Sequence, residues 1–293
     1  MKINLNPNKL QTRWVKDVDP NHPLPEYPRP QLERPHWINL NGKWDYTILS
    51  KSSTLQGFQS LERIDGKIIV PFPVESILSG VNRVLLPKDK VWYKREFNLD
   101  SAWKNKRILL HFGGIDFETS IWINNHLIGT HKGGNVSFSF DISDYIHKNM
   151  SESNSIIVSV WDPTDKGLQE RGKQSLKPRQ IFYSPMSGIW QTVWIEAVEP
   201  SYIQNLKIVP DIDNSEISLI IQVSNPHNME KANISIFEKD TEIISLESEI
   251  NAQIKVKIPN PRLWSPNYPF LYDMRIKLTK YEDVITSYFV MRK

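Results

Sequence analysis

The chain has 293 residues, 39% hydrophobic and 24% charged, with a formal net charge of +3 from 36 basic and 33 acidic side chains. Length suggests about two domains, the composition is that of an ordinary globular protein, and charge spread without a basic block argues against a nucleic-acid footprint. The lack of cysteine excludes disulfides, thiol nucleophiles and Cys-ligated zinc, and no run nears the ~18 apolar residues of a membrane helix.

Residues 1–36 hold seven prolines, among them Pro20, Pro23, Pro25, Pro28, Pro30 and Pro35. Proline fixes φ and removes a donor, so this stretch is expected as an extended arm draped over the domain behind it. Its first residues, Met1 to Pro7, lack the apolar core of a signal peptide. That predicts a cytoplasmic protein as given, with room for an export signal ahead of this sequence. The sequons at Asn135, Asn149 and Asn233 are then chance matches.

From Trp37 the chain alternates at the period of strands. Expected strands are 44–48, 91–97, 108–112 and 119–123, the last turning at Asn124-Asn125 into 127–129. Strands over 136–140, 155–161 and 191–196 follow, with isolated helical turns only at 101–106 and 142–148. Short strands at turn-punctuated spacing predict an all-β fold, a jelly-roll β-sandwich over 37–199. Beyond Glu199-Pro200 a second series is expected at 203–209, 217–223, 232–237, 243–246, 254–258, 272–278 and 284–289. Seven strands with little aromatic mass fit an immunoglobulin-like β-sandwich over 200–293. Nine of the ten Trp precede residue 200, which separates the two domains in character. Nothing alternates strand with long helix, so no Rossmann or barrel domain is expected.

Familiar catalytic signatures are missing. Gly113-Gly114 and Gly133-Gly134 are bare pairs without the Lys-Ser/Thr of a phosphate loop, and no Gly-x-Ser-x-Gly elbow occurs. Seven scattered His residues give no ligand spacing, so neither a metal nor another cofactor is expected. The densest polar stretch runs from Trp161 to Gln174 and on to Ser187-Gly188-Ile189-Trp190. A loop of that length inside a compact β domain suggests function. Carboxylate, guanidinium and amide groups hold sugar hydroxyls, which makes Asp162, Arg171 and Gln174 the candidate substrate-binding residues. The same residues equally fit a solvated loop whose Arg and Asp pair with each other.

A family resemblance rests on several segments in order. They are Trp37 to Tyr46, Val70-Pro71-Phe72-Pro73-Val74-Glu75-Ser76, Trp92-Tyr93-Lys94-Arg95 and Phe112-Gly113-Gly114-Ile115-Asp116. Trp122 to Gly134, Phe138 to Ile142 and Ser187 to Trp194 complete them. In these the chain resembles the sugar-binding domain of glycoside hydrolase family 2, which contains β-galactosidases, β-glucuronidases and β-mannosidases. Pro261 to Tyr272 and Tyr288 to Lys293 resemble the close of the family's immunoglobulin-like domain, with Val290 where glycine is usual.

The resemblance implies a carbohydrate ligand, a β-glycoside, and as partner the catalytic (β/α)₈ barrel that carries the family's two glutamates. Such a barrel takes about 250 residues, and none follow Lys293 here. No catalytic residue is therefore expected in this sequence, and neither Glu118 nor Glu196 is promoted to the role. The expected function is the non-catalytic N-terminal portion of a retaining β-glycosidase, scaffolding the barrel and bordering its pocket. A free-standing carbohydrate-binding protein is the alternative; it requires open Trp faces within residues 1–199. A pure protein-interaction module is a third reading, and a barrel-facing surface left bare is expected to give either a homo-oligomer, such as a dimer, or a sticky monomer. The acid-rich run that one branch of β-galactosidases carries before Ser-Gly-Ile is replaced by Ile181-Phe182-Tyr183-Ser184-Pro185, which speaks against a galactose-specific contact there.

Overall fold

The computed structural model describes residues 12–59 and 64–293; Met1 to Pro7, read above for an export signal, lie outside the described residues. The chain divides into two compact units, one running up to Glu26 and resuming over Ile38–Ile195, the other made of Tyr27–Trp37 with Glu196–Lys293.

The jelly roll is built from β1 (Trp37–Asn39), β2 (Gly42–Ser50), β3 (Gly66–Val70), β4 (Asp89–Phe97), β5 (Arg107–Phe112) and β6 (Ile115–Asp116). It continues with β7 (Glu118–Ile123), β8 (His126–Lys132), β9 (Phe138–Asp141), β10 (Asn154–Trp161), β11 (Gly188–Ile189) and β12 (Val193–Val198). Six strands pair in the order β3-β2-β4-β10-β7-β8, four in the order β1-β12-β5-β9, and β11 pairs with β6 alone. Trp44, Trp92 and Tyr93 are almost fully buried, and the Trp44 indole donates to the Leu40 carbonyl at 2.8 Å, so burying a polar ring atom costs little.

The hairpin expected at Asn124-Asn125 is present. Both residues have positive φ, 47° and 70°, as a tight turn matching strand twist requires. The strand expected from Val136 begins at Phe138. The 101–106 turn shortens to a 3₁₀ turn at Ser101–Trp103, capped by Asp100, and 142–148 holds turns rather than helix. A short helix, α1 (Leu55–Gln59), interrupts the strands; it buries Phe58 against Trp92.

The second unit carries β13 (Tyr202–Asp211), β14 (Glu216–Ser224), β15 (Lys231–Glu238), β16 (Thr241–Glu249), β17 (Gln253–Lys257), β18 (Tyr272–Leu278) and β19 (Val284–Phe289). They form sheets β13-β14-β17 and β16-β15-β18-β19, the two-layer immunoglobulin-like sandwich. Ile217, Leu219, Ile221 and Val223 alternate inward from β14 and meet Ile234, Ile236, Met274 and Ile276 in one core.

The proline-rich segment is not uniform. Pro23 and Leu24 carbonyls accept from Asn41 at 3.1 Å and Asn39 at 2.8 Å within the first unit. Downstream, Pro30–Leu32 makes a 3₁₀ turn and Glu33 bridges to Thr286 within the second. There Arg34 is buried and forks onto Asp283 at 3.1 and 3.0 Å. Glu196, fully buried, accepts from Tyr27 and from Arg29 at 2.9 Å. This network satisfies charges that would otherwise be costly to bury. It also gives Glu196 a structural task far removed from acid–base chemistry.

Candidate functional site

The polar loop singled out by sequence leaves β10 at Asp162 and returns at Ser187, just before β11. Three carboxylates hold it. Asp162 accepts from Ser187 Oγ at 2.7 Å and from the Thr164 amide at 2.6 Å, closing the two ends of the loop on each other. Glu75 accepts from the Ser187 amide at 2.8 Å and from the Leu85 amide at 3.1 Å. Asp116, opposite Gly188 in the β6–β11 pair, accepts from Gln174 Nε2 at 2.9 Å.

Glycine is required where these parts meet. Gly188 has φ +92°, and a Cβ there would fall 2.0 Å from the Tyr93 hydroxyl. A Cβ on Gly134 would fall 2.7 Å from Asp116 Cγ. Only a residue without a side chain admits such approaches.

Burial sets the electrostatics. Asp116 is 4% exposed, and burial, reinforced by the charge of Asp162, pushes its pKa up to about 7, against the opposing hydrogen bond from Gln174. Burial also raises Asp162 and Glu75, each partly offset by donors from Ser187. Asp162 and Glu75 accept hydrogen bonds from the protein on both oxygens, as brackets do, and Asp116 accepts on Oδ2.

Of the three residues predicted from sequence, Asp162 is buried in this bracket. Gln174 spans it: its amide nitrogen donates to Asp116, while its oxygen accepts from the Met186 amide at 2.7 Å. Arg171 stands outside, exposed, donating to the Asp165 carbonyl at 2.6 Å. Arg171 and Gln174 share the wall of a groove of about 410 Å³ with Asp165, Lys166, Ser175, Lys177, Arg179 and Phe182. The groove can offer charged forks, amide and hydroxyl groups and one aromatic ring to a polar ligand. Asp116, Glu75 and Ser187 each lie in a segment that carries the family resemblance, yet sequence does not single them out as site residues because they are spread over more than a hundred positions.

The Trp faces are largely taken up. Trp44, Trp92, Trp103 and Trp194 are buried, and Trp14 alone among the described Trp residues is strongly exposed, with Arg13 over its ring at 4.4 Å.

Comparison with known proteins gives a consistent account. Residues 70–198 match the family model described as glycosyl hydrolases family 2, sugar binding domain, and residues 201–292 match the model described as glycosyl hydrolases family 2. A β-galactosidase of Thermoanaerobacter pseudethanolicus is 28% identical over 209 residues, covering 67% of this chain and 27% of that protein. A rat β-glucuronidase is 21% identical over 287 residues, covering 85% of this chain and 43% of that protein. Among solved structures, a β-glucuronidase from Ruminococcus gnavus in complex with D-glucuronic acid superposes with a TM-score of 0.70 at 19% identity. The superposition covers 92% of this chain and 47% of that one. At that identity the likeness concerns the fold. The chain spans about a quarter of the first curated relative's length and under half of the solved structure's.

Proposed function

The chain belongs to glycosyl hydrolase family 2, and from that premise we propose that its residues form the non-catalytic part of a retaining β-glycosidase. The jelly roll borders a substrate pocket and the second sandwich supports the catalytic barrel. The reacting carboxylates of a retaining pair stand about 5–5.5 Å apart, one attacking the sugar and the other donating a proton. In this reading both belong to the barrel. The described residues contribute binding and positioning: Arg171 presents its guanidinium toward sugar hydroxyls, while Gln174 and Asp162 hold the loop closed.

The observation that carries this reading is the clasped 162–187 loop in the sugar-binding domain. A long surface loop fixed by two buried carboxylates, Asp116 and Asp162, and the half-buried Glu75 is ordered at a cost that contact with a ligand would explain. The free-standing carbohydrate-binding reading is less favoured, because of the Trp rings before residue 200 four are buried, four are half-buried and only Trp14 is strongly exposed.

The test is hydrolysis of chromogenic β-galactoside, β-glucuronide and β-mannoside by the purified chain, with folding checked by circular dichroism. No turnover by folded protein is expected. Turnover that survives repurification and is abolished by replacing one carboxylate of these domains overturns the proposal.

A further inference from the structure

We infer that the groove on the 162–187 loop takes an anionic carbohydrate, a sugar chain carrying carboxylate or sulfate groups; the inference rests on the sugar-facing role proposed above for this loop. Lys166, Arg171, Lys177 and Arg179 line the groove against a single carboxylate, Asp165. They lie within fourteen positions of sequence, and the turns of the loop bring them around one volume of about 410 Å³.

The negative charge of Asp165 is already engaged. Its Oδ2 accepts from Ser175 Oγ at 3.1 Å and from the Leu176 amide at 3.0 Å, and Lys166 stands 3.9 Å from Oδ1. Among the described residues, Lys177 and Arg179 make no ion pair with an acidic side chain, and both are exposed. Cations that like-charged neighbours surround and no carboxylate neutralises favour an anionic guest.

The chemistry of the wall narrows the guest further. Arginine presents a planar fork that matches the two oxygens of a carboxylate or sulfate group. Phe182 adds a ring against which the apolar face of a sugar packs. A neutral glycan would leave the cations unanswered, and an acidic peptide would bring no sugar face to the Phe182 ring beside them.

The test is titration calorimetry on the whole chain with polygalacturonate, dextran sulfate, unmodified dextran and poly-glutamate. These are compared with a Lys177→Glu/Arg179→Glu double variant whose thermal unfolding is checked against the parent. At least one acidic glycan is expected to bind more tightly than dextran and poly-glutamate, and more weakly as salt rises. The double variant is expected to lose about tenfold in affinity, a few-fold for each contact removed. Binding confined to polygalacturonate assigns the groove to uronates, and binding confined to dextran sulfate assigns it to sulfate esters. Dextran or poly-glutamate binding as tightly as the acidic glycans, or undiminished affinity in a folded double variant, overturns the inference. Hydrolysis of aryl glycosides by the chain would instead overturn the non-catalytic reading and leave this binding result standing.

Discussion

Asp116→Asn separates the electrostatics of the loop bracket from its geometry. The carboxyl is buried, and its pKa rises from 3.8 to about 7. A carboxyl whose folded pKa exceeds its unfolded value binds more protons in the folded state across that interval. Its contribution to stability is fully present below about pH 4 and is lost as pH rises toward 7. A tenfold change in a protonation equilibrium is worth about 1.4 kcal/mol. The rise from 3.8 to about 7 therefore sets an upper bound of about 4 kcal/mol on the cost of ionising Asp116. Asparagine cannot ionise, and its oxygen can still accept from Gln174. The variant should therefore match the parent near pH 4 and exceed it by about 1–3 kcal/mol at pH 8. Urea unfolding across pH 4–8, followed by Trp fluorescence, reads this mainly in the first unit, since nine of the ten Trp precede residue 200. A residual slope of the same sign should remain from Asp162 and Glu75, whose pKa values are also raised. If the variant loses the same stability at pH 4 and pH 8, Asp116 is ionised in the folded state like any surface carboxylate, and the bracket is misread.

Further outcomes follow from the same geometry. Ser187→Ala removes the 2.7 Å hydrogen bond to Asp162 and should cost about 1–3 kcal/mol, with faster proteolytic cleavage within residues 166–184. Gly188→Ala forces a Cβ to 2.0 Å from the Tyr93 hydroxyl at φ +92°; a loss of about 1–3 kcal/mol or more is expected in urea unfolding. Asp283→Ala strips buried Arg34 of its paired acceptor and the Ile203 amide of its partner, and should cost the second unit about 3–5 kcal/mol by scanning calorimetry. Replacing Arg34 and Asp283 together by apolar residues should cost clearly less, because no orphaned charge remains.

Most of the fold was legible because both sandwiches alternate at period two. The inward row of β14 and the Asn124-Asn125 turn follow from local residue order alone. Very short strands were not legible: β6 and β11 span two residues each and exist through their pairing with one another. The candidate site was legible in part. Loop length and polar content pointed to residues 162–187, yet could not separate Asp162, which turns inward, from Arg171, which stays in the groove. That division depends on Asp116 from β6, Glu75 from the segment after β3 and Ser187 at the loop's far end meeting in space. Charge reads as dispersed along the chain, whereas the turns of one loop gather four cations around a single groove.

The most direct test of the central claim is covalent trapping. The folded chain would be incubated with 2-fluoro β-glycosides of galactose, glucuronic acid and mannose, which hold the glycosyl intermediate of retaining enzymes, and weighed intact by mass spectrometry. The account predicts an unchanged mass for all three reagents. A single glycosyl adduct mapped to a carboxylate of these domains, Asp116 or Glu75 above all, would contradict it.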